Sequence, residues 1–405
     1  MNKKKIINDP VYGFITIPYT IIFDLIEHPA FQRLRRIRQT GLSDFVYPGA
    51  LHTRFHHALG AMHLMKQAID VLRAKGTEIT EEEAEAVCAA ILLHDIGHGP
   101  FSHALEHTLL DVNHETLSLV IMERINEEMN GKITLAIQIF KNEYHKTFMH
   151  HLVSSQLDMD RMDYLNRDSF FTGVAEGKIG YDRIIKMLAV KDDQLVVEEK
   201  GIYSIEKFLM ARRIMYWQVY LHKAVLSAEH MLIQTLKRAR HLTEQGHDLP
   251  VSSQLKFFLK RHVTEETNLQ SEWLNCYFEL DDVDILMALK QFVHYPDRIL
   301  QTLAKGIIFR KLFRVELQND PFSEEYLSQI KAKLVQQFQF DNDDFEYLFK
   351  NDIERNHTYD VNYDEIQILF KNGNVVPISK LLDINVRPGV VEKHFLFYPK
   401  LNQSL

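Results

Sequence analysis

The chain has 405 residues, 46% of them apolar and 25% charged, with a formal net charge of −8, enough to bury a full core as one large domain or two modest ones. Its two cysteines, Cys88 and Cys276, exclude a disulfide scaffold or a cysteine-rich metal site and fit a reducing, cytoplasmic compartment. The acidic balance argues against nonspecific nucleic-acid binding, and no apolar run approaches the ~20 residues that span a bilayer.

Lys3-Lys4-Lys5 is basic, but Asp9-Pro10 follows before a signal-peptide core can form. Residues 5–20 predict a β-hairpin turned at Asn8-Asp9-Pro10 and Tyr12-Gly13, with Ile15 and Ile17 alternating around Thr16. Helical periodicity then dominates to about residue 300, with stretches over 55–75, 114–129, 150–170, 204–241 and 283–304. Thr80-Glu81-Glu82-Glu83 is a capping box that opens a buried stripe of Ala84, Val87, Cys88, Ile91 and Leu92. Gly97, Gly99 and Pro100 end that helix and place His94 and Asp95 in its last turn. A small two-stranded excursion is expected around 188–203. From about 308, Phe309–Gln318 and Glu365–Phe370 alternate like strands, Phe322–Phe338 reads as a helix, and Lys371-Asn372-Gly373-Asn374 as a hairpin turn. The predicted fold is mainly α, with a helical core over 1–304 and an α+β region over 305–405.

Chemistry concentrates in widely separated segments. His94, His98 and His103 stand beside Asp95 in Leu93-His94-Asp95-Ile96-Gly97-His98-Gly99-Pro100-Phe101-Ser102-His103. His57 lies in Arg54-Phe55-His56-His57, where Arg54 and His57 share a helix face. Asp160, Tyr164 and Asp168 stack at i, i+4 and i+8 in Asp160-Arg161-Met162-Asp163-Tyr164-Leu165-Asn166-Arg167-Asp168. Imidazole and carboxylate donors suit a divalent ion that activates water, and Mn, Fe, Mg, Ni and Zn all fit such a set. His103-Ala104-Leu105-Glu106-His107 also matches the spacing of an inverted zinc protease, but that reading leaves His57, His94-Asp95 and Asp160 without a role. Gly173–Ile179 is one residue short of a phosphate loop and reads as a turn. Arginines crowd at Arg33, Arg35, Arg36 and Arg38, and again with Lys311 at Arg310 and Arg314.

Taken in order, these segments resemble HD-superfamily deoxynucleoside triphosphate triphosphohydrolases, found with a sterile-alpha-motif domain in animals and without it in bacteria. The likeness runs through Ile7–Pro10, Phe31–Arg35, the Arg54 and His94 segments, Asp160–Asp168 and Tyr203–Lys223, and more weakly to Phe309–Arg314. It implies that His57, His94, Asp95 and Asp160 hold one divalent metal, Mg or a transition ion. His98 and His103 match the catalytic histidines, supported by Glu106 and His114. Arg54, Arg161 and Arg212 would clamp a dNTP triphosphate. Tyr164 and Asp168 would flank sugar and phosphates, Tyr220 would lie near sugar or base, and Gln39 would read the 3′-hydroxyl. Leu221 stands where relatives carry a polar residue near the base.

The resemblance further implies a homo-oligomer, dimer or tetramer, with an activating nucleotide at its interfaces on Lys5, Asn8, Glu27, Gln32, Arg35, Arg183, Lys200, Arg310 and Arg314. The metal ligands alone do not choose the substrate. An HD phosphodiesterase or nucleotidase stays open, as does a nonenzymatic nucleotide sensor or nucleic-acid-binding protein.

Overall fold

A computed structural model describes residues 5–101, 108–264, 272–339, 342–357, 364–382 and 390–401. The N-terminal hairpin, β1 (Ile6–Asp9) and β2 (Gly13–Thr16), leads into short helices α1 (Thr20–Glu27) and α2 (Pro29–Gln32). The helical core follows as α3 (Arg54–Ala74), α4 (Glu81–Leu93), α5 (His114–Glu128), α6 (Thr134–Phe140), α7 (Thr147–Val153), α8 (Met159–Thr172) and α9 (Tyr181–Met187). After the β3 (Leu188–Lys191) and β4 (Gln194–Glu198) excursion come α10 (Ile202–Met215), α11 (Lys223–Glu244), α12 (Ser253–Lys260), α13 (Glu272–Glu279), α14 (Asp282–Phe292) and α15 (Arg298–Ile308). Strands β5 (Arg314–Gln318), β6 (Lys350–His357), β7 (Gln367–Leu369), β8 (Val375–Pro377) and β9 (Val390–Tyr398), with helices α16 (Glu324–Phe338) and α17 (Asn342–Leu348), complete the mainly helical architecture.

The centre of the core is α3, which packs against both α4 and α8. Leu59, Met62, Leu64, Met65, Ile69 and Leu72 bury most of its circumference, leaving Asp70 and Ala74 exposed on the side toward water. Helix α4 begins at the expected capping box. Thr80 Oγ1 accepts from the Glu83 amide (3.1 Å), and Glu83 Oε2 accepts from the Thr80 amide (2.7 Å). Tyr144 Oη and Lys146 Nζ also donate to this carboxylate, at 2.6 and 2.9 Å. Burial pushes the Glu83 pKa up, but these donors outweigh it and hold it at about 2. A depressed carboxylate stabilises the fold above its unfolded pKa and loses that contribution as pH falls through the folded one. Glu83→Gln is therefore expected to cost on the order of 2 kcal/mol at pH 7, and the difference from wild type should vanish between about pH 4.5 and 2 in urea melts.

Several elements differ from the sequence expectation. The stretch 150–170 is two helices, because Asp158 breaks the run and caps α8 by accepting from the Arg161 amide at 2.6 Å. The stretch 204–241 is interrupted by a π-helical turn at Tyr216–Tyr220, after which His222 caps α11 by accepting from the Ala224 amide. The stretch 283–304 divides at Tyr295-Pro296, with Asp297 capping α15. The strand expected from Phe309 begins only at Arg314, since α15 runs to Ile308 and Arg310 takes a left-handed φ of 55°. Helix α4 stops at Leu93, leaving His94 as its C-cap and Asp95 just beyond.

The C-terminal strands form two sheets. One is antiparallel, in the order β5-β9-β6. The other extends the β3-β4 hairpin, with β7 joining β4 in parallel and β8 pairing outside it. His230 of α11 stacks on Phe395 of β9, with ring centroids 4.5 Å apart, which ties the first sheet to the helical core. Among the described residues, no helix is long and apolar enough to cross a membrane.

Candidate active site

Three backbone segments meet at one point. His57 projects from the first turns of α3, His94 from the end of α4, and Asp160 from the first turn of α8. His57 Nε2 lies 3.1 Å from Asp160 Oδ1 and 3.4 Å from His94 Nε2, and His94 Nε2 is 3.5 Å from the same carboxylate oxygen. Donors ~2.1 Å from a shared ion stand ~3.0–3.4 Å apart, so these atoms have the spacing of metal ligands. Asp95 flanks the group, with Oδ1 3.4 Å from His94 Nε2 and Oδ2 3.7 Å from His57 Nε2. Among the described residues, His57, His94 and Asp160 form the cluster fit to hold a metal ion.

Both histidines are held from behind. His57 Nδ1 meets Asp163 Oδ2 at 2.7 Å, and His94 Nδ1 meets the Ile91 carbonyl at 2.6 Å. Both acceptors demand a proton on Nδ1 and so turn the Nε2 lone pairs toward the ion. Asp163 in turn accepts from Arg167 at 2.9 and 3.0 Å, and Arg167 reaches Asp9 of the N-terminal hairpin at 2.8 Å. Burial lowers the His57 pKa, but hydrogen bonds to Asp160 and Asp163 outweigh it and raise it to about 10. Positive charge is thus stabilised at this point. Gly60 faces the network so closely that a Cβ would lie 2.0 Å from Asp163 Oδ1 and 2.1 Å from Arg167 Nη2.

The loop after α4 is pinned by backbone contacts. Ser118 Oγ donates to the His94 carbonyl (2.7 Å) and accepts from the Gly97 amide (2.9 Å). The buried Arg33 guanidinium donates to the carbonyls of Ile96 and His98, at 3.0 and 2.8 Å. A Cβ at Gly97 would come within 2.3 Å of α5 backbone atoms, so this position needs glycine for close approach. His98 consequently points at the cluster, with Nε2 3.3 Å from Asp95 Oδ1 and its ring stacked 4.0 Å from that of His114. Burial first, and then the Arg54 guanidinium, hold its pKa well below the usual range against the pull of Asp95. His103 and Glu106 lie outside the described residues, as does His107 of the protease-like spacing.

A cavity of about 720 Å³ opens beside the cluster, within the range of small-molecule sites. The structure brings every residue expected to hold substrate to its wall: Gln39, Arg54, Arg161, Tyr164, Asp168, Arg212 and Tyr220. Arg54 is paired with Asp95 and Arg161 with Asp158, while Arg212 Nη1 donates to Gln156 Oε1 at 3.0 Å. Asp168 accepts from Tyr220 Oη at 2.6 Å and contacts His52 Nε2 at 2.6 Å. Gln39 Oε1, Thr40 Oγ1 and Ser43 Oγ are buried with no hydrogen-bond partner among the described residues, and all three residues line the cavity. Such orphaned groups call for a partner, which water or a polar ligand can supply.

The residues matched to a regulatory nucleotide lie elsewhere. Lys5, Asn8, Glu27, Arg35, Arg183, Lys200, Arg310 and Arg314 are exposed, Gln32 is half-buried, and none lines this cavity. Sequence reasoning missed Asp163, His52, Tyr216 and Glu229. Only Asp163 carried a signal, its i,i+4 spacing from Arg167.

The HD domain signature matches residues 54–168, and an HD associated region matches residues 179–249. The chain is 31% identical to the uncharacterised protein YwfO of Bacillus subtilis, over 99% of this chain and 93% of that protein. It is 33% identical over 272 residues to the deoxynucleoside triphosphate triphosphohydrolase SAMHD1 homolog of Dictyostelium discoideum, covering 62% of this chain and 51% of that one. The crystal structure of a phosphohydrolase from Bacteroides thetaiotaomicron superposes with a TM-score of 0.94 at 51% identity, covering 98% of this chain and all of that one. With its ligand cluster, cavity and full-length relatives in agreement, the chain belongs to the HD-domain family of metal-dependent phosphohydrolases.

Proposed function

We propose that the protein hydrolyses deoxynucleoside triphosphates to the deoxynucleoside and inorganic triphosphate. The observation that carries this reading is the shared wall of Gln39, Arg54, Arg161, Tyr164, Asp168, Arg212 and Tyr220 beside the metal cluster. The activity named for the Dictyostelium relative supports it. When bound by His57, His94, Asp95 and Asp160, a divalent ion supplies Lewis acidity toward water and a phosphoryl oxygen. Arg54, Arg161 and Arg212 offer guanidinium forks for the phosphate oxygens. The water oxygen ends on the α-phosphorus, and the 5′-oxygen leaves with the nucleoside. The proton released by the attacking water must end on the departing 5′-oxygen, and an imidazole such as His98 can relay it. Gln39 and the Asp168–Tyr220 pair present hydrogen-bonding groups for the sugar.

Product analysis tests the reading. Metal-loaded protein with each dNTP and NTP is expected to yield nucleoside and intact triphosphate from the deoxynucleotides. Release of pyrophosphate or orthophosphate instead, or cleavage confined to phosphodiesters or nucleoside monophosphates, would overturn it. Nucleotide binding without turnover would point to a sensor.

A further inference from the structure

Part of the cavity wall differs in chemistry from the metal cluster. The carboxyl of Glu229, on α11, lines the cavity with no hydrogen bond or ion pair among the described residues, and Glu354 of β6 lines it nearby. Gly41 takes a φ of +54°, and a Cβ there would lie 3.3 Å from Glu229 Oε1, which places this carboxyl against the Gln39–Ser43 segment with its orphaned polar atoms. Glu354 is tied to His230 at 3.3 Å, and the charge of Arg355, also on the wall, is engaged by Glu392 at 2.9 Å. Leu221, Leu226 and Ile233 supply apolar surface to the same cavity.

Two neighbouring carboxyls give a phosphate no cationic partner, so a triphosphate belongs with Arg54, Arg161, Arg212 and the metal ligands. Apolar walls with a few hydrogen-bond acceptors suit a nucleobase. An acceptor-rich corner favours an edge that presents donors and disfavours one dominated by carbonyl oxygens. Burial, and then Glu354, push the Glu229 carboxyl up to about 8. A ligand that donates a hydrogen bond favours the ionised, accepting form of this carboxyl and offsets that rise.

We propose that Glu229 is a specificity-determining residue, whose carboxyl accepts a hydrogen bond from the exocyclic amino group of the substrate's base and so favours adenine, cytosine or guanine nucleotides over thymine. This rests on the nucleotide reading of the cavity given above. It also gives the C-terminal sheet a part in substrate choice, because Glu354 of β6 closes the same corner.

The test compares the full-length, metal-loaded wild type with Glu229→Leu and the near-isosteric Glu229→Gln. Turnover and equilibrium binding of dATP, dCTP, dGTP and dTTP are measured, with metal content and melting temperature as folding controls. The best amino-bearing nucleotide should lose about 10-fold in kcat/KM in Glu229→Leu, mainly through KM, while dTTP changes less than about twofold. Glu229→Gln, which keeps one acceptor oxygen, should fall between and reads the same contact if the leucine variant folds poorly. Equal loss across all four nucleotides, or no change in any, overturns the inference and leaves the dNTPase reading standing. If nothing is hydrolysed but binding shows the base-selective loss, the dNTPase reading falls and this one stands. Absence of any nucleotide binding removes both.

Discussion

Asp160→Ala is expected to empty the metal site and abolish turnover, while leaving the fold intact. Its carboxylate is the only acidic ligand supplied by α8, and it stands within 3.1 and 3.5 Å of the two imidazoles. Burial opposes ionisation of Asp160, but hydrogen bonds with His57 and His94 hold it well below the usual carboxylate range. Without it, the two Nε2 atoms 3.4 Å apart face one another with only Asp95 to balance an incoming cation, and Asp95 is already shared with Arg54. Losing a partner that merely orients a ligand costs ~10–100-fold in metal affinity or activity, so loss of a ligand should exceed that range. The side chain is 25% exposed and the variant leaves α8 capped by Asp158, so the fold should survive, although the metal-stripped protein should melt lower because His57 and His94 lose a hydrogen-bonded carboxylate. Metal analysis and product assay read the result. Full metal content with undiminished turnover in Asp160→Ala would remove the basis for the site.

Much of this site is legible in the chain because its residues obey local periodicities. Asp160, Tyr164 and Asp168 repeat at helical spacing, and all three line the cavity. The Gly97–Pro100 run announces a turn after α4, and the turn carries His98 to the cluster. What the sequence conceals is long-range. Strand β7 pairs in parallel with β4 across about 170 residues of intervening chain, and a two-residue side-chain alternation says nothing about its partner. The π-helical turn at Tyr216–Tyr220 lies within an unbroken apolar pattern, yet it sets two tyrosines on the cavity wall. Charged residues are hidden for a different reason. Asp163, Arg167 and Glu229 occur where a helix usually faces water, and only tertiary packing shows that the first two are buried and the third turned into the cavity. The breaks at Asp158 and Asp297, by contrast, carry cap chemistry that outweighs the apolar periodicity running across them.

Asp163→Ala should damage both stability and metal binding, although Asp163 touches neither ion nor substrate. The residue is fully buried between His57 and Arg167, and Arg167 is itself fully buried with Asp9 as its other carboxylate. Removing the central carboxylate leaves two anchors unsupported: the Nδ1 of a metal ligand loses its acceptor, and a buried guanidinium keeps one counterion instead of two. Breaking a buried pair from one side costs about 3–5 kcal/mol, and loss of an orienting partner costs ~10–100-fold in metal affinity. Asp163→Asn preserves the volume beside Gly60 and can still accept from one neighbour, so it should lie between alanine and wild type in both measurements. The link between them is physical. Rigid placement of His57 comes from the same hydrogen bonds that keep the hairpin strand β1, through Asp9, attached to α8. Urea unfolding and metal titration of the three proteins separate the contributions. A variant that unfolds within about 1 kcal/mol of wild type and binds metal equally well would show that the Asp9–Arg167–Asp163–His57 chain is incidental to the site.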